Sequence, residues 1–154
     1  DTQDGSTQFV NIDKANLYGG ELELNVLYDA VDMGVSYSQV RGRNESEDLW
    51  LQDLPADQYN FKLNYYLDRY GLTLGYLGNY ALEQHRTNPQ TIQRTEKTNS
   101  YFIHNIYASK KLDDFQIDFR VDNFTNQEYR RHASFLFEAR EDYKLAVTYK
   151  INTL

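Results

Sequence analysis

From Ala15 onward the chain is written in period two. The run Ala15–Tyr28 sets Tyr18, Leu22, Leu24, Val26 and Tyr28 on one side and Glu21, Glu23 and Asn25 on the other. Met33, Val35 and Tyr37 then alternate with Gly34, Ser36 and Ser38, and Tyr59, Phe61, Leu63, Tyr65 and Leu67 alternate with Asn60, Lys62, Asn64 and Tyr66. Leu72, Leu74, Tyr76, Tyr80 and Leu82 carry the next apolar row. Near the C-terminus, Phe115, Ile117, Phe119 and Val121 and then Tyr143, Leu145, Val147 and Tyr149 alternate with Gln, Asp, Arg, Lys and Thr. Such alternation predicts strands with one apolar and one wet face. Between residues 101 and 110 both rows are apolar, Tyr101, Ile103 and Tyr107 against Phe102, Ile106 and Ala108, so the faces are open there.

The breaks between these runs alternate in length. Short turns fall at Asp29–Asp32, Asp68–Gly71 and Leu112–Asp114; long polar stretches span about 41–58, 85–98 and 125–142. Seven strands are expected, with an eighth begun before Ala15. Long loops at one end and tight turns at the other are the pattern of an up-and-down transmembrane barrel, in which only every second residue faces lipid. No segment approaches the ~18 apolar residues of a helical span. Tyrosines at the ends of the apolar rows suit the two interfaces, with Tyr28, Tyr37, Tyr65, Tyr70 and Tyr107 expected in a lipid-facing girdle. The test of this reading is where Leu22, Leu63, Leu74, Phe119 and Val147 point: outward for lipid, inward for a protein core.

Composition narrows the rest. Fourteen tyrosines make the chain 15% aromatic, and mean hydropathy is -0.76. A net charge of -7 argues against a nucleic-acid partner, which needs a basic face. Cysteine is absent, which removes disulfides and thiolate chemistry. The opening Asp1-Thr-Gln-Asp-Gly5-Ser does not read as a basic-then-apolar signal segment, so for an exported protein a mature chain or a fragment of one is expected. There is no Gly-rich phosphate loop and no nucleophile–base pair, so the expectation is a protein that is not an enzyme.

Three stretches carry a family resemblance. Arg120-Val-Asp-Asn-Phe124-Thr-Asn-Gln-Glu-Tyr129 looks like the penultimate strand and loop start of TonB-dependent outer-membrane receptors. Tyr18-Gly-Gly-Glu21-Leu-Glu23 resembles an earlier strand of those barrels, and Asp53-Leu-Pro-Ala56 the segment leading into the next. Lys144, Ala146, Tyr149 and Ile151 fit the spacing of the barrel-terminal insertion signal, with Ala146 in place of glycine, Ile151 in place of the final aromatic, and residues 152–154 in addition. The resemblance implies a barrel of about 22 strands closed by a plug. Residues 1–154 are then expected to be its C-terminal part, without the plug, integral to a bacterial outer membrane. It further implies contact with outer-membrane lipid and a scarce small-molecule or metal ligand, taken up with energy from the inner-membrane protein TonB acting through the plug. No resident cofactor is expected. Arg131-His-Ala-Ser134-Phe-Leu136 looks most like receptors for haem or zinc.

Candidate ligand or metal residues are His85, His132 and Glu138, all in expected external loops. Neutral imidazole is a metal ligand, but a lone loop histidine is ordinarily solvated. His104 falls on a strand and reads as a structural hydrogen-bonding group. Glu21, Glu23, Asp118, Arg120 and Asp122 read as ion pairs on a wet wall. Trp50, between Leu49 and Leu51, is either a ligand-gripping tip or a packed anchor. Two other architectures fit the same pattern: a self-contained eight-stranded membrane barrel and a soluble lipocalin-like ligand carrier.

Overall fold

The computed structural model describes residues 14–88 and 97–151. The strands are β1 (Ala15–Tyr28), β2 (Val31–Asn44), β3 (Leu49–Trp50), β4 (Gln58–Leu67), β5 (Leu72–Ala81), β6 (Tyr101–Leu112), β7 (Phe115–Asp122) and β8 (Asp142–Tyr149). Apart from β3, they pair antiparallel in chain order, β1-β2-β4-β5-β6-β7-β8. Among the described residues there is no α-helix, only a 3-10 turn at Asp68–Tyr70, and no helix long and apolar enough to cross a membrane. The eighth strand expected before Ala15 lies largely outside the described residues.

Local chemistry accounts for the turns. Asp29 (φ 50°) and Asp113 (φ 51°) each open a two-residue connection in the left-handed region that short polar side chains tolerate. Gly71 (φ 55°) ends the 3-10 turn, its N–H bonded to the Asp68 carbonyl at 2.9 Å.

The second strand runs further than its apolar row suggested. It continues to Asn44, and Leu49–Trp50 folds back on it, pairing with Arg43 and Asn44. The Arg43 guanidinium lies 5.2 Å from the Trp50 ring centroid, so Trp50 is a packed anchor.

Register puts the apolar rows in one continuous band. Leu24 faces Val35, Val35 faces Phe61, Phe61 faces Gly78 and Gly78 faces His104. Leu22, Leu63, Leu74, Phe119 and Val147 lie on this band and are 42% to 72% exposed, so no protein core covers them. Tyr28 and Tyr65 sit at its short-turn end, each opposite Val31, and Tyr70 lies in the 3-10 turn. At the long-loop end Tyr37, Tyr59, Tyr80 and Phe102 form a row across four strands, with centroids 4.8, 6.4 and 5.7 Å apart.

Tyr107 does not belong to that girdle. It lies on the polar face opposite Gly75 and Arg120, and its hydroxyl donates to Asn64 Oδ1 at 2.6 Å. On β6 it is Phe102, His104, Ile106 and Ala108 that face outward. Tyr101 and Ile103 instead join Ala56 and Ala81 in a small core at the long-loop end, with Tyr129 packed against it.

Candidate functional site: the polar face and its loop collar

The polar face is tied across strands by side chains. Asn79 Nδ2 donates to Asn60 Oδ1 (2.7 Å), and Asn60 Nδ2 to Ser36 Oγ (3.3 Å). Asp32 accepts from Asn64 (3.2 Å) and pairs with Lys62 (3.3 Å). A concavity of about 260 Å³ opens over this amide ladder, bordered by Glu23, Lys62 and Asn105.

A larger concavity of about 420 Å³ lies between the polar face of β5–β8 and the loop of residues 123–141. Its wall is charged. Asp122 accepts from Arg120 Nε at 2.5 Å and from Lys144 Nζ at 2.6 Å; Lys144 also reaches Asp142 at 3.1 Å. The loop adds Arg131, paired with Glu138 at 3.3 Å, and Arg140, paired with Glu128. Tyr129 packs on Tyr101 with centroids 4.6 Å apart, so one aromatic pair joins loop to wall.

That loop is held at its root by Asn123, which is 2% exposed and has φ 51°. Its Nδ2 donates to the carbonyls of Gln127 (2.8 Å) and Ala139 (3.4 Å), and its Oδ1 accepts from the Gln127 N–H (3.0 Å). Its own N–H donates to Asn105 Oδ1 at 3.0 Å.

The other long loops are fastened to each other. Gln84 is 0% exposed; its Nε2 donates to the carbonyls of Leu54 and Pro55, each at 3.0 Å, and its backbone bridges to Thr98. Asp57 accepts from both terminal guanidinium nitrogens of Arg41 (2.5 and 2.6 Å) and from one of Arg86 (3.0 Å). The Arg41 hydrogen bonds hold the Asp57 carboxyl below its usual range, against the opposing effect of burial. Local sequence carries no period that announces Arg41, Asp57, Gln84 and Arg86 as partners. Nor does it announce that the arginines around Tyr129 converge on the β7–β8 wall.

The residues singled out for ligand binding make different contacts. His85 is exposed on the loop after β5. His132 Nδ1 lies 3.2 Å from Thr98 Oγ1, linking the second and third loops, and burial pushes its imidazole below the ordinary value. Glu138 lines the larger concavity with Arg131. Among the described residues no group of three or more His, Asp or Glu side chains is arranged to hold a metal ion. His104 makes a hydrogen bond with the Tyr76 hydroxyl at 2.8 Å, among Phe102 and Phe124. In the terminal segment Lys144 and Ala146 lie on the polar face of β8, Tyr149 packs on Phe115 at 4.6 Å, and Ile151 follows, exposed.

Comparison with known proteins agrees with this geometry. The profile described as "TonB dependent receptor-like, beta-barrel" matches residues 1–124. A hemin receptor of Yersinia pestis is 24% identical over 103 residues, covering 67% of this chain and 15% of that protein. A hemin receptor of Yersinia enterocolitica is also 24% identical, over 106 residues. The chain thus spans 15% of the length of these curated relatives. Among solved structures, the copper transporter OprC superposes with a TM-score of 0.80 at 19% identity, over 88% of this chain and 23% of its own. The FrpB iron transporter of Neisseria meningitidis (F3-3 variant) does so with 0.72 at 18%, over 88% and 23%. These proteins are receptors and transporters, not enzymes. With most of its length matched by the profile and its strands laid out as in such barrels, the chain belongs to the TonB-dependent receptor-like β-barrel family.

Proposed function

We propose that this chain is the C-terminal wall of an outer-membrane receptor that takes up a metal-containing ligand (haem, a siderophore or a metal ion) with energy delivered by TonB through a plug encoded elsewhere in the full protein. The apolar band faces lipid, the polar face lines the lumen, and the three long loops lie outside the cell. The observation that carries the reading is the pairing of faces: an uncovered apolar band on one side, and on the other a charged concavity roofed by a loop at the long-loop end. The open edges support a larger barrel. β1 and β8 do not pair with each other, and unpaired backbone groups in hydrocarbon are costly. They tell against a self-closed eight-stranded barrel, as the exposed apolar band tells against a ligand carrier with an oily interior.

The ligand classes come from the relatives' own names, hemin, iron and copper. Glu138 with Arg131, on the roof of the concavity, is the proposed ligand-contacting pair; His132 contributes by holding the loop. The test is uptake by the full receptor in cells supplied in turn with hemin, a ferric salt and a cupric salt. One of the three enters, entry stops when the proton gradient is collapsed, and Arg131→Ala lowers affinity for it. Entry that persists without the gradient sinks the energised-receptor reading. Unchanged affinity in Arg131→Ala removes the concavity from the ligand path.

A further inference from the structure

We infer that Asn123 is the positioning residue of the ligand loop: a clasp that closes residues 124–141 at their root and locks them to the wall through Asn105. The inference rests on the proposed ligand role of the concavity.

Every group of this residue is engaged. The backbone sits at φ 51°, where most side chains are strained and asparagine is tolerated. The amide nitrogen reaches Gln127 on the outgoing limb and Ala139 on the returning limb, so one side chain spans the loop's mouth. The amide oxygen takes the Gln127 N–H. The main-chain N–H ends on Asn105, whose own Nδ2 is bonded to the Leu77 carbonyl of β5 at 3.2 Å. The clasp is therefore continuous from loop to β7, β6 and β5. Tyr129, Arg131 and Glu138, which roof the concavity, all lie between the two points it joins, and Arg140 directly follows the second. Gln127 also uses its side chain on the Phe102 N–H at 3.2 Å, so the first limb is seated on β6 as well. Asn123 borders the concavity but is only 2% exposed, with its amide used on the two limbs, so its effect passes through the loop it holds.

The experiment uses the full receptor in detergent, with Asn123→Gly, Asn123→Asp and Arg131→Ala. Glycine keeps the left-handed backbone and the main-chain N–H to Asn105, and removes only the side-chain bonds to Gln127 and Ala139. Aspartate keeps the acceptor for Gln127 and loses the donors. Trypsin cleavage at Arg130 and Arg131 reads loop order, loss of heat-modifiable migration reads the barrel, and quenching of Trp50 by hemin, ferric ion or cupric ion reads binding. Asn123→Gly speeds loop cleavage and weakens binding by on the order of tenfold, given the side-chain hydrogen bonds it deletes, with barrel melting unchanged; Asn123→Asp falls between. Cleavage at the wild-type rate, or a barrel that melts together with the loop, overturns the inference. If Asn123→Gly loosens the loop while neither it nor Arg131→Ala alters binding, or if no probe binds the wild type, the clasp stands and the ligand reading of the concavity fails.

Discussion

Gly75 shows how one missing side chain organises a wall. A Cβ at this position would lie 2.1 Å from the Tyr107 ring, which covers the glycine and reaches on to Asn64. Gly75→Val should displace that ring and lower barrel stability by about 1–3 kcal/mol, the usual cost of overpacking. Measured by urea unfolding of the full receptor in vesicles, part of the loss should return in the Gly75→Val, Tyr107→Ala double variant; simple additivity would disprove the contact. Asp57 makes a pH prediction at the same scale. Its carboxyl titrates below the ordinary 3.8 because Arg41 holds the ionised form. Its contribution to loop order is fully present above the unfolded pKa and is lost as pH falls through the lower folded value. Protease resistance of the loops should fall below about pH 4 in the wild type by more than in Asp57→Asn, which is weakened already at neutral pH.

At the scale of the strand, alternation divides each element into an apolar side and a wet side. In β4, Leu63 lies on the apolar band between Tyr59 and Tyr65, and Asn60 lies on the polar face. Leu63→Arg should cost about 2–4 kcal/mol of folding free energy in vesicles, because a guanidinium is driven toward the bilayer midplane; Asn60→Arg should cost clearly less. Equal costs would mean that the outer face is not in hydrocarbon. The strand that resisted reading, β6, did so for a physical reason. Its first residues serve two apolar environments: Tyr101 and Ile103 enter the small core with Ala56 and Ala81, while Phe102 joins the outer aromatic row. Apolar residues on both faces erase the period, and so Tyr107 reads as a girdle tyrosine when its hydroxyl in fact serves the wet wall.

For the molecule as a whole, the described strands make an open, curtain-like ladder whose end strands remain exposed: every residue of β1 is exposed. The 154-residue chain refolded alone in micelles is therefore expected to associate through β1 and β8 rather than give a heat-modifiable monomer, while the full receptor gives one. A compact, heat-modifiable monomer from this chain alone would restore the small self-closed barrel. The same scale explains the loops. Gln84, Asp57 with its two arginines, and His132 with Thr98 join residues 16 to 34 positions apart into one collar.

The sequence by itself determined the strand class, the up-and-down order, the short and long ends and most of the outward face. Those properties are written in a two-residue period and in turn chemistry, and both act over a few neighbouring residues. Only the tertiary structure decided which loop residues meet, that β2 extends to Asn44 under a returning Leu49–Trp50, and that Arg120, Arg131, Glu138 and Lys144 share a concavity. Contacts between loops depend on where the barrel wall delivers their ends, and no local pattern of apolar and polar positions records that.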